Sequence, residues 1–372
     1  MIYGALFGCT EPALTIAASM SARNPFVSPF DNRDAADEAK RAFSVGGSDP
    51  LTVVAAYVEW KRIRYSKGDK ASQAFLRDNF LSRMTMFQIE EMRKQFADLL
   101  KDIGFLEKSY RLDNGKTPFS SFNIQLLKGV LCAGLYPNIL VAPRTLVGQT
   151  EQSNGSTVAE FTFESTKGDV YLHPCTIMFT ASRLDSRYCC YHEIVKTSKV
   201  YVRDCTTVSE VALLLFGGSM KVYQREGVVS LDDWLKFRID MKPATMFKYL
   251  RSHMERMLLQ KIVSPEDDVF QSDEGKGLIE AVNALLDDGK SVATGSNIAI
   301  ASRPARGGGR NGVDGRGIEG RGRGRGEGRG RGRGRGRSGG DPSGRGGRGK
   351  GRGRGGPGRG RQGGRKGGQA NP

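Results

Sequence analysis

Along its first 135 positions the chain spaces apolar residues three and four apart, the rhythm of amphipathic helices. Glu11-Pro12 opens one helix, with proline in the first turn, where its missing N–H costs little. The run from Leu51 to Trp60 predicts another, continuing into a basic face of Lys61, Arg62 and Arg64. The clearest spans about Thr85 to Ile103, where Ile89, Met92, Phe96, Leu99 and Ile103 form one apolar stripe. Glu90 and Lys94 sit four apart on its other face. A further helix follows Ser121, with Leu127 and Leu131 on one side. The pattern predicts a bundle of five or six helices over residues 1–135.

After Pro137 the rhythm shortens to two. Residues Glu160 to Glu164 alternate strictly, as a half-buried strand does, and Lys167-Gly168-Asp169 reads as a turn before Val170-Tyr171-Leu172. Tyr188–Val195, Val200–Arg203, Met220–Tyr223 and Trp234–Phe237 are further strand candidates. Short strands separated by turns predict a small barrel. Helical spacing returns from about Ala244 to Ile262, with Phe247, Leu250, Met254 and Leu258 in a stripe, and Pro265 ends it. The predicted class is α+β: a helical bundle (1–135), a barrel with a C-terminal helix (136–265), a linker with a weak helix near Gly277–Leu286 (266–302), and a tail (303–372).

Charge separates the tail from everything before it. The chain carries 57 basic and 40 acidic residues, net +17. Residues 303–372 hold 19 Arg and 2 Lys against 4 acids, which is 21 − 4 = +17, so the first 302 residues are formally neutral. The tail also takes 31 of the 50 glycines and has no Phe, Trp or Tyr. It has nothing to bury, so disorder is expected. Its guanidiniums offer bidentate contacts to phosphate and flat faces to bases. The candidates are Arg321, Arg323, Arg325, Arg329, Arg331, Arg333 and Arg335 in the alternating Arg-Gly run, with Arg306, Arg345 and Arg354 in Arg-Gly-Gly triplets. The expected partner is RNA, preferentially single-stranded, whose bases offer stacking faces as well as phosphates. A solubilising or targeting tail is the plainer alternative. Such tails also invite arginine methyltransferases, and methylation keeps the charge while removing donors.

Other classes are excluded or find no support. No run of apolar residues is long enough to span a bilayer, so no membrane partner is expected. The apolar start, Met1 to Cys9, lacks the basic region of a signal peptide. The six cysteines are too scattered for a disulfide framework, which points to a reducing compartment. Gly115-Lys116-Thr117 and Gly289-Lys290-Ser291 mimic the end of a phosphate loop, but its first glycine is replaced by Tyr110 and Ala284. His173, Cys175, Cys189, Cys190 and His192 fit no zinc spacing and read as core or surface positions. No catalytic residue and no metal site is expected.

Several stretches, in order, resemble the C-terminal region of DEAH-box, RNA helicase A-like RNA helicases. They are GALFGCTEPALTIAA from Gly4 to Ala18, DPLTVV from Asp49, NFLS from Asn79 and AGLYPN from Ala133. LHPC from Leu172, YHEIVKTSKV from Tyr191 and LLLFGG from Leu213 complete the set. Pro50 stands where relatives usually carry histidine. The resemblance covers roughly residues 3–265. It implies a ratchet-like helicase-associated helical domain followed by an OB-fold, lining the exit of a single-strand channel and docking partner proteins. ATP and Mg are implied only for motor domains, which would precede this region, and no cofactor is expected within the chain itself.

On that basis Lys196, Ser198, Lys199 and Arg203 are candidate phosphate contacts on one strand–loop–strand unit, with Tyr201 as a stacking platform. A solvated strand face is the alternative for each. Asn79, Arg83 and Arg93 are candidate channel residues of the helical domain, or ordinary helix-surface side chains. Tyr191 and Tyr171 read as core or rim. Two functions follow. One is the RNA-binding region of an ATP-dependent RNA helicase, with helicase-activating or ribonucleoprotein partners. The other is a stand-alone, non-enzymatic RNA-binding adaptor of ribonucleoprotein particles. Native size distinguishes them, a longer polypeptide favouring the first. Nuclear or nucleolar residence is expected, with cytoplasm as the alternative.

Overall fold

The computed structural model describes residues 1–113, 115–143, 161–181, 183–295 and 299–300. The Arg/Gly tail and its candidate arginines lie outside the described residues. Among the described residues six α-helices build the first half: α1 (Ile2–Leu6), α2 (Thr10–Ser21), α3 (Arg33–Ala42), α4 (Asp49–Asp78), α5 (Arg83–Asp102) and α6 (Ile124–Leu135). Helix α2 is buried on almost every side, which its small and apolar residues Ala13, Leu14, Ile16 and Ala18 permit. Helix α4 starts on Ser48, whose hydroxyl accepts from the Leu51 N–H, and Pro50 occupies its first turn. Gly68, at φ 81°, breaks α4 into two segments.

Helix α5 corrects the expected stripe. It buries Met86, Ile89, Arg93, Ala97 and Leu100, whereas Leu99 is 53% and Ile103 47% exposed. The cause is Arg93, whose guanidinium finds a carboxylate and a phenol inside the bundle and so draws the inward face by one position. The basic face expected on α4 is also turned partly inward: Lys61 is buried, and it and Arg64 both pair with Glu90 on α5.

Five strands form a closed barrel: β1 (Ile139–Val141), β2 (Thr162–Ser165), β3 (Gly168–Leu172), β4 (Tyr188–Lys196) and β5 (Val200–Val208). Their order, β1-β2-β3-β5-β4 closing on β1, is that of an OB-fold. The β3–β5 pair is parallel, with Tyr171 opposite Tyr201. Phe163, Val170, Leu172, Cys189, Tyr191, Val202 and Cys205 fill the interior. Helix α7 (Glu210–Phe216) follows, capped by Ser209, whose hydroxyl accepts from the Ala212 N–H.

The expectation that the later strands join this barrel is corrected. Strands β6 (Met220–Tyr223), β7 (Val228–Leu231), β8 (Leu235–Arg238) and the two-residue β9 (Ala299–Ile300) form a separate antiparallel sheet. Helices α8 (Met241–Val263) and α9 (Asp273–Gly295) complete the fold. The expected linker is corrected too: Leu278, Val282 and Leu286 of α9 are buried in the largest core. A Cβ at Gly129 of α6 would fall 3.1 Å from Leu286 and 3.2 Å from Phe216, so a larger residue would push those side chains back by a few tenths of an ångström. The same core takes in Leu51, Leu127, Ile139, Tyr188, Leu213 and Phe237, so helices and both sheets share one interior.

A polar seam fixes the helical half against the barrel. Gly47, at φ 61°, turns the chain so that its carbonyl accepts from the Thr207 N–H at 3.1 Å. The Ser48 and Thr206 hydroxyls lie 2.7 Å apart. Asp49 is buried and accepts from the Ile177 N–H (2.9 Å), the Cys205 N–H (3.1 Å) and Lys40 Nζ (3.4 Å).

Candidate nucleic-acid interface

Parallel pairing of β3 with β5 places alternate residues of both strands side by side on the barrel's outer face. Tyr171 and Tyr201 are half-buried, with ring centroids 6.2 Å apart. His173 continues the row, edge-on to Tyr201 at 5.9 Å. Lys199 Nζ sits 4.4 Å from the Tyr171 centroid at one end. Arg203 stands at the other, one guanidinium nitrogen 2.9 Å from His173 Nε2 and another 3.6 Å from Glu193. The row thus reads cation, aromatic, aromatic, imidazole, cation. Flat rings accept bases without regard to sequence, and cations at both ends suit the phosphates between them.

His173 is held neutral: burial lowers its pKa, and the nearby Arg203 lowers it further. Its Nδ1 accepts from the Cys175 N–H at 3.1 Å. A neutral imidazole accepts at only one nitrogen, so Arg203 competes with that N–H for the ring. Arg203 Nε is buried with no partner. This guanidinium is therefore poorly satisfied in the structure.

Beside the row lies a cleft of about 580 Å³ between the α2–α3 segment and the barrel. Met20, Phe26 and Val27 line one wall, and His173, His192, Glu193, Arg203 and Asp204 the other. Val202 and Cys205 both point into the barrel, although strand alternation would send one outward. Asp204, at φ 53°, absorbs the mismatch, and so both it and Arg203 line the cleft.

Of the expected site residues, Lys199, Tyr201 and Arg203 come together in this row. Lys196 ends β4, and Ser198 lies in the β4–β5 turn, both exposed beside it. The three from the helical half are placed differently. Asn79 ends α4 and donates to the Phe75 carbonyl at 2.8 Å. Arg83 is exposed and lies over the Phe87 ring at 5.5 Å. The expectation of an outward-facing Arg93 is corrected: it is 4% exposed, donates to the Tyr57 hydroxyl at 2.8 Å and pairs with Glu11. Its position on an amphipathic helix suggests a surface arginine, but its two partners lie far off in sequence. Tyr191 belongs to the barrel core and Tyr171 to the outer row. Sequence reasoning does not single out Tyr171, His173, Glu193 or Asp204 as contacts. The one signal for them is the matching two-residue spacing of Tyr171/His173 and Tyr201/Arg203, which means little until the two strands are known to pair in parallel.

Cys189, Cys190 and Cys205 are fully buried, and burial raises their thiols far above the ordinary range, Cys189 to about 12. That suits packing rather than nucleophilic chemistry. Among the described residues no cluster of His, Cys, Asp and Glu has the makings of a metal site, and no helix is long and apolar enough to cross a membrane.

The fold, helices followed by an OB-type barrel, is placed by comparison with known proteins. Residues 1–98 match the ratchet-like helicase associated domain, residues 127–220 the oligonucleotide/oligosaccharide-binding (OB)-fold family, and residues 227–288 the C-terminal domain in RNA helicases. The chain carries the C-terminal domain set of the DExH/DEAH-box RNA helicases. It is 37% identical over 288 residues to the DExH-box ATP-dependent RNA helicase DExH1 of Arabidopsis thaliana, covering 77% of this chain and 27% of that one. A putative ATP-dependent RNA helicase, DHX57 of Mus musculus, is 35% identical over 314 residues, 77% of this chain and 22% of its own. The human ATP-dependent RNA helicase DHX29 is 32% identical over 293 residues, 77% and 20% respectively. The chain thus spans between a fifth and somewhat over a quarter of the length of these relatives.

Proposed function

We propose that this chain is the RNA-binding accessory region of an ATP-dependent DExH-type RNA helicase, guiding single-stranded RNA across the barrel and docking partner proteins. The observation that carries the reading is the Lys199–Tyr171–Tyr201–His173–Arg203 row on an OB-fold. Bases stack on the rings while Lys196 and Lys199 hold phosphates, with Ser198 in reach of the backbone and Arg203 at the far end of the row. The tail adds affinity without sequence preference and is a substrate for arginine methyltransferases. ATP and Mg serve motor domains outside this chain, which alone binds RNA and turns over no nucleotide. Residence is nuclear or nucleolar.

The test is binding of the full chain to a fluorescently labelled oligouridine. Stacking on one ring contributes about 1–3 kcal/mol, so Tyr201→Ala should weaken binding by about 5- to 150-fold. An unchanged affinity would sink the reading. If the native polypeptide proves no longer than this chain, the adaptor reading takes the place of the helicase one, with the same RNA face.

A further inference from the structure

We propose that the cleft beside the aromatic row is a pocket for a single guanine base. The proposal rests on the single-strand reading above and names what one base of that strand does.

Two neighbouring groups in the cleft have hydrogen-bonding capacity to spare. Asp204 is a non-glycine residue at φ 53°, and no hydrogen bond or ion pair engages its carboxyl among the described residues. Such backbone strain persists only where the surroundings impose it, and it gathers at ligand sites. Its carboxyl is half-buried; burial and the nearby Asp49 raise its pKa, while His192 and Lys40 pull it the other way. Next to it is Arg203, with a buried, unpartnered Nε and a guanidinium nitrogen competing for His173. A guanidinium with an unpartnered buried Nε and a half-buried carboxyl therefore stand side by side on one wall. The facing wall offers the apolar surface of Phe26, Met20 and Val27 among polar side chains that include Arg23, Asp37 and Lys40. A flat ring between those walls would be held on one face and read along its edge.

The order of donors and acceptors selects the base. Guanine presents two acceptors, O6 and N7, beside two donors, N1–H and the N2 amino group. Arg203 can donate to the first pair while Asp204 accepts from the second. Adenine reverses the pattern at this edge, setting an amino donor against the guanidinium and a ring acceptor against the carboxylate. Uracil and cytosine lack a ring nitrogen equivalent to N7 and fill less of about 580 Å³. His173 belongs to both the aromatic row and the cleft, so a strand stacked on Tyr201 delivers its next base to the pocket mouth.

The experiment uses the full chain and two labelled strands of about nine uridines, one with a central guanosine and one with a central adenosine. Affinity from the tail is common to both strands and cancels in the ratio. A bidentate base contact predicts about tenfold tighter binding of the guanosine strand. Asp204→Asn should bring the ratio close to one. Asp204→Gly should do the same, and because glycine accepts the left-handed backbone this variant also answers a folding objection to the first. A wild-type ratio within about twofold, or a preference that survives both substitutions, would overturn the proposal. Competition by guanosine monophosphate but not adenosine monophosphate would show that the pocket takes the free nucleotide; failure of both to compete, with the strand preference intact, would show that it needs the base within RNA. Tyr201→Ala weakening both strands equally tests the single-strand reading separately. Loss of that effect with the preference retained counts against the row and not against the pocket.

Discussion

Asp49 joins the helical half to the barrel, and the cost of removing it follows from its partners. It is 3% exposed and accepts two backbone N–H groups from the barrel, those of Ile177 and Cys205, besides Lys40 Nζ from α3. Asp49→Ala leaves two buried N–H donors without an acceptor, each costing about 1–3 kcal/mol. Lys40 keeps the Cys175 carbonyl, which limits the loss on that side. The expected total is about 4 kcal/mol, in the range for breaking a buried charged group's contacts. Asp49→Asn keeps one acceptor and should cost about half as much, roughly 2 kcal/mol. Burial outweighs Lys40 and the two N–H groups in setting the Asp49 pKa, and raises it. Stability from this group is thus greatest below the ordinary carboxylate range and declines as pH rises to the raised value. The lead of the wild type over Asp49→Asn should narrow across that acidic window and then stay constant. The assay is urea denaturation of all three proteins over a pH series. A loss under about 1 kcal/mol for Asp49→Ala would refute the view that this carboxylate holds the seam. Ile177 and Cys205 lie close along the chain to His173 and Arg203, so oligouridine affinity should fall in the same variant.

Three other outcomes follow. Burial raises Glu210 to about 7, partly offset by Arg187, so the folded protein loses stability as pH rises from about 4.5 to 7; Glu210→Gln should be more stable than wild type at pH 8, by about 3 kcal/mol, and nearly equal at pH 4.5, which thermal melts at both values would check. Arg93→Met strands the Glu11 carboxylate with only the Tyr110 hydroxyl and the Asp113 N–H, and should cost about 3 kcal/mol in denaturant titration; a neutral effect would show that the buried pair is dispensable. Deleting residues 303–372 should flatten the dependence of log affinity on log salt by about 4, as expected if the tail neutralises about six phosphates of a single strand; an unchanged slope would mean the tail holds no phosphates.

The parts of the fold legible in sequence are those whose pattern is set locally. Helix α5 spans nearly its predicted range because Ser82 caps it and its periodicity is long. Strand β4 is visible through its apolar and β-branched run. What escapes depends on distant partners. Arg93 shifts the buried face of α5 because Glu11 and Tyr57 meet it from other helices. Strand β7 is buried at all four positions and so shows no alternation. Strand β1 is too short to carry a pattern. Glycines make α9 read as linker, yet Gly275 packs against the Phe270 backbone, where a Cβ would come within 2.6 Å. In the candidate site, a single strand discloses Tyr201 and Arg203; their partners Tyr171 and His173 require the parallel crossover. Asp204 gives no sign, since left-handed backbone at an aspartate arises from the barrel's curvature and not from its neighbours in sequence.

The packing of Leu286 over Gly129 bears on how the protein is made. The helical half leaves the ribosome before the barrel and α9, and in many proteins such an earlier part would fold at once. Here the α6 face that receives α9 remains open until the chain has been extended to residue 286. At about 5–20 residues per second, synthesis of the intervening stretch lasts many seconds. During that time Leu127, Val130 and Leu131, all buried in the finished core, wait for the barrel and α9 that will cover them. Nascent chains stalled before α9 should therefore recruit chaperones that bind apolar segments and be cut readily near α6, whereas chains stalled in the tail should resist.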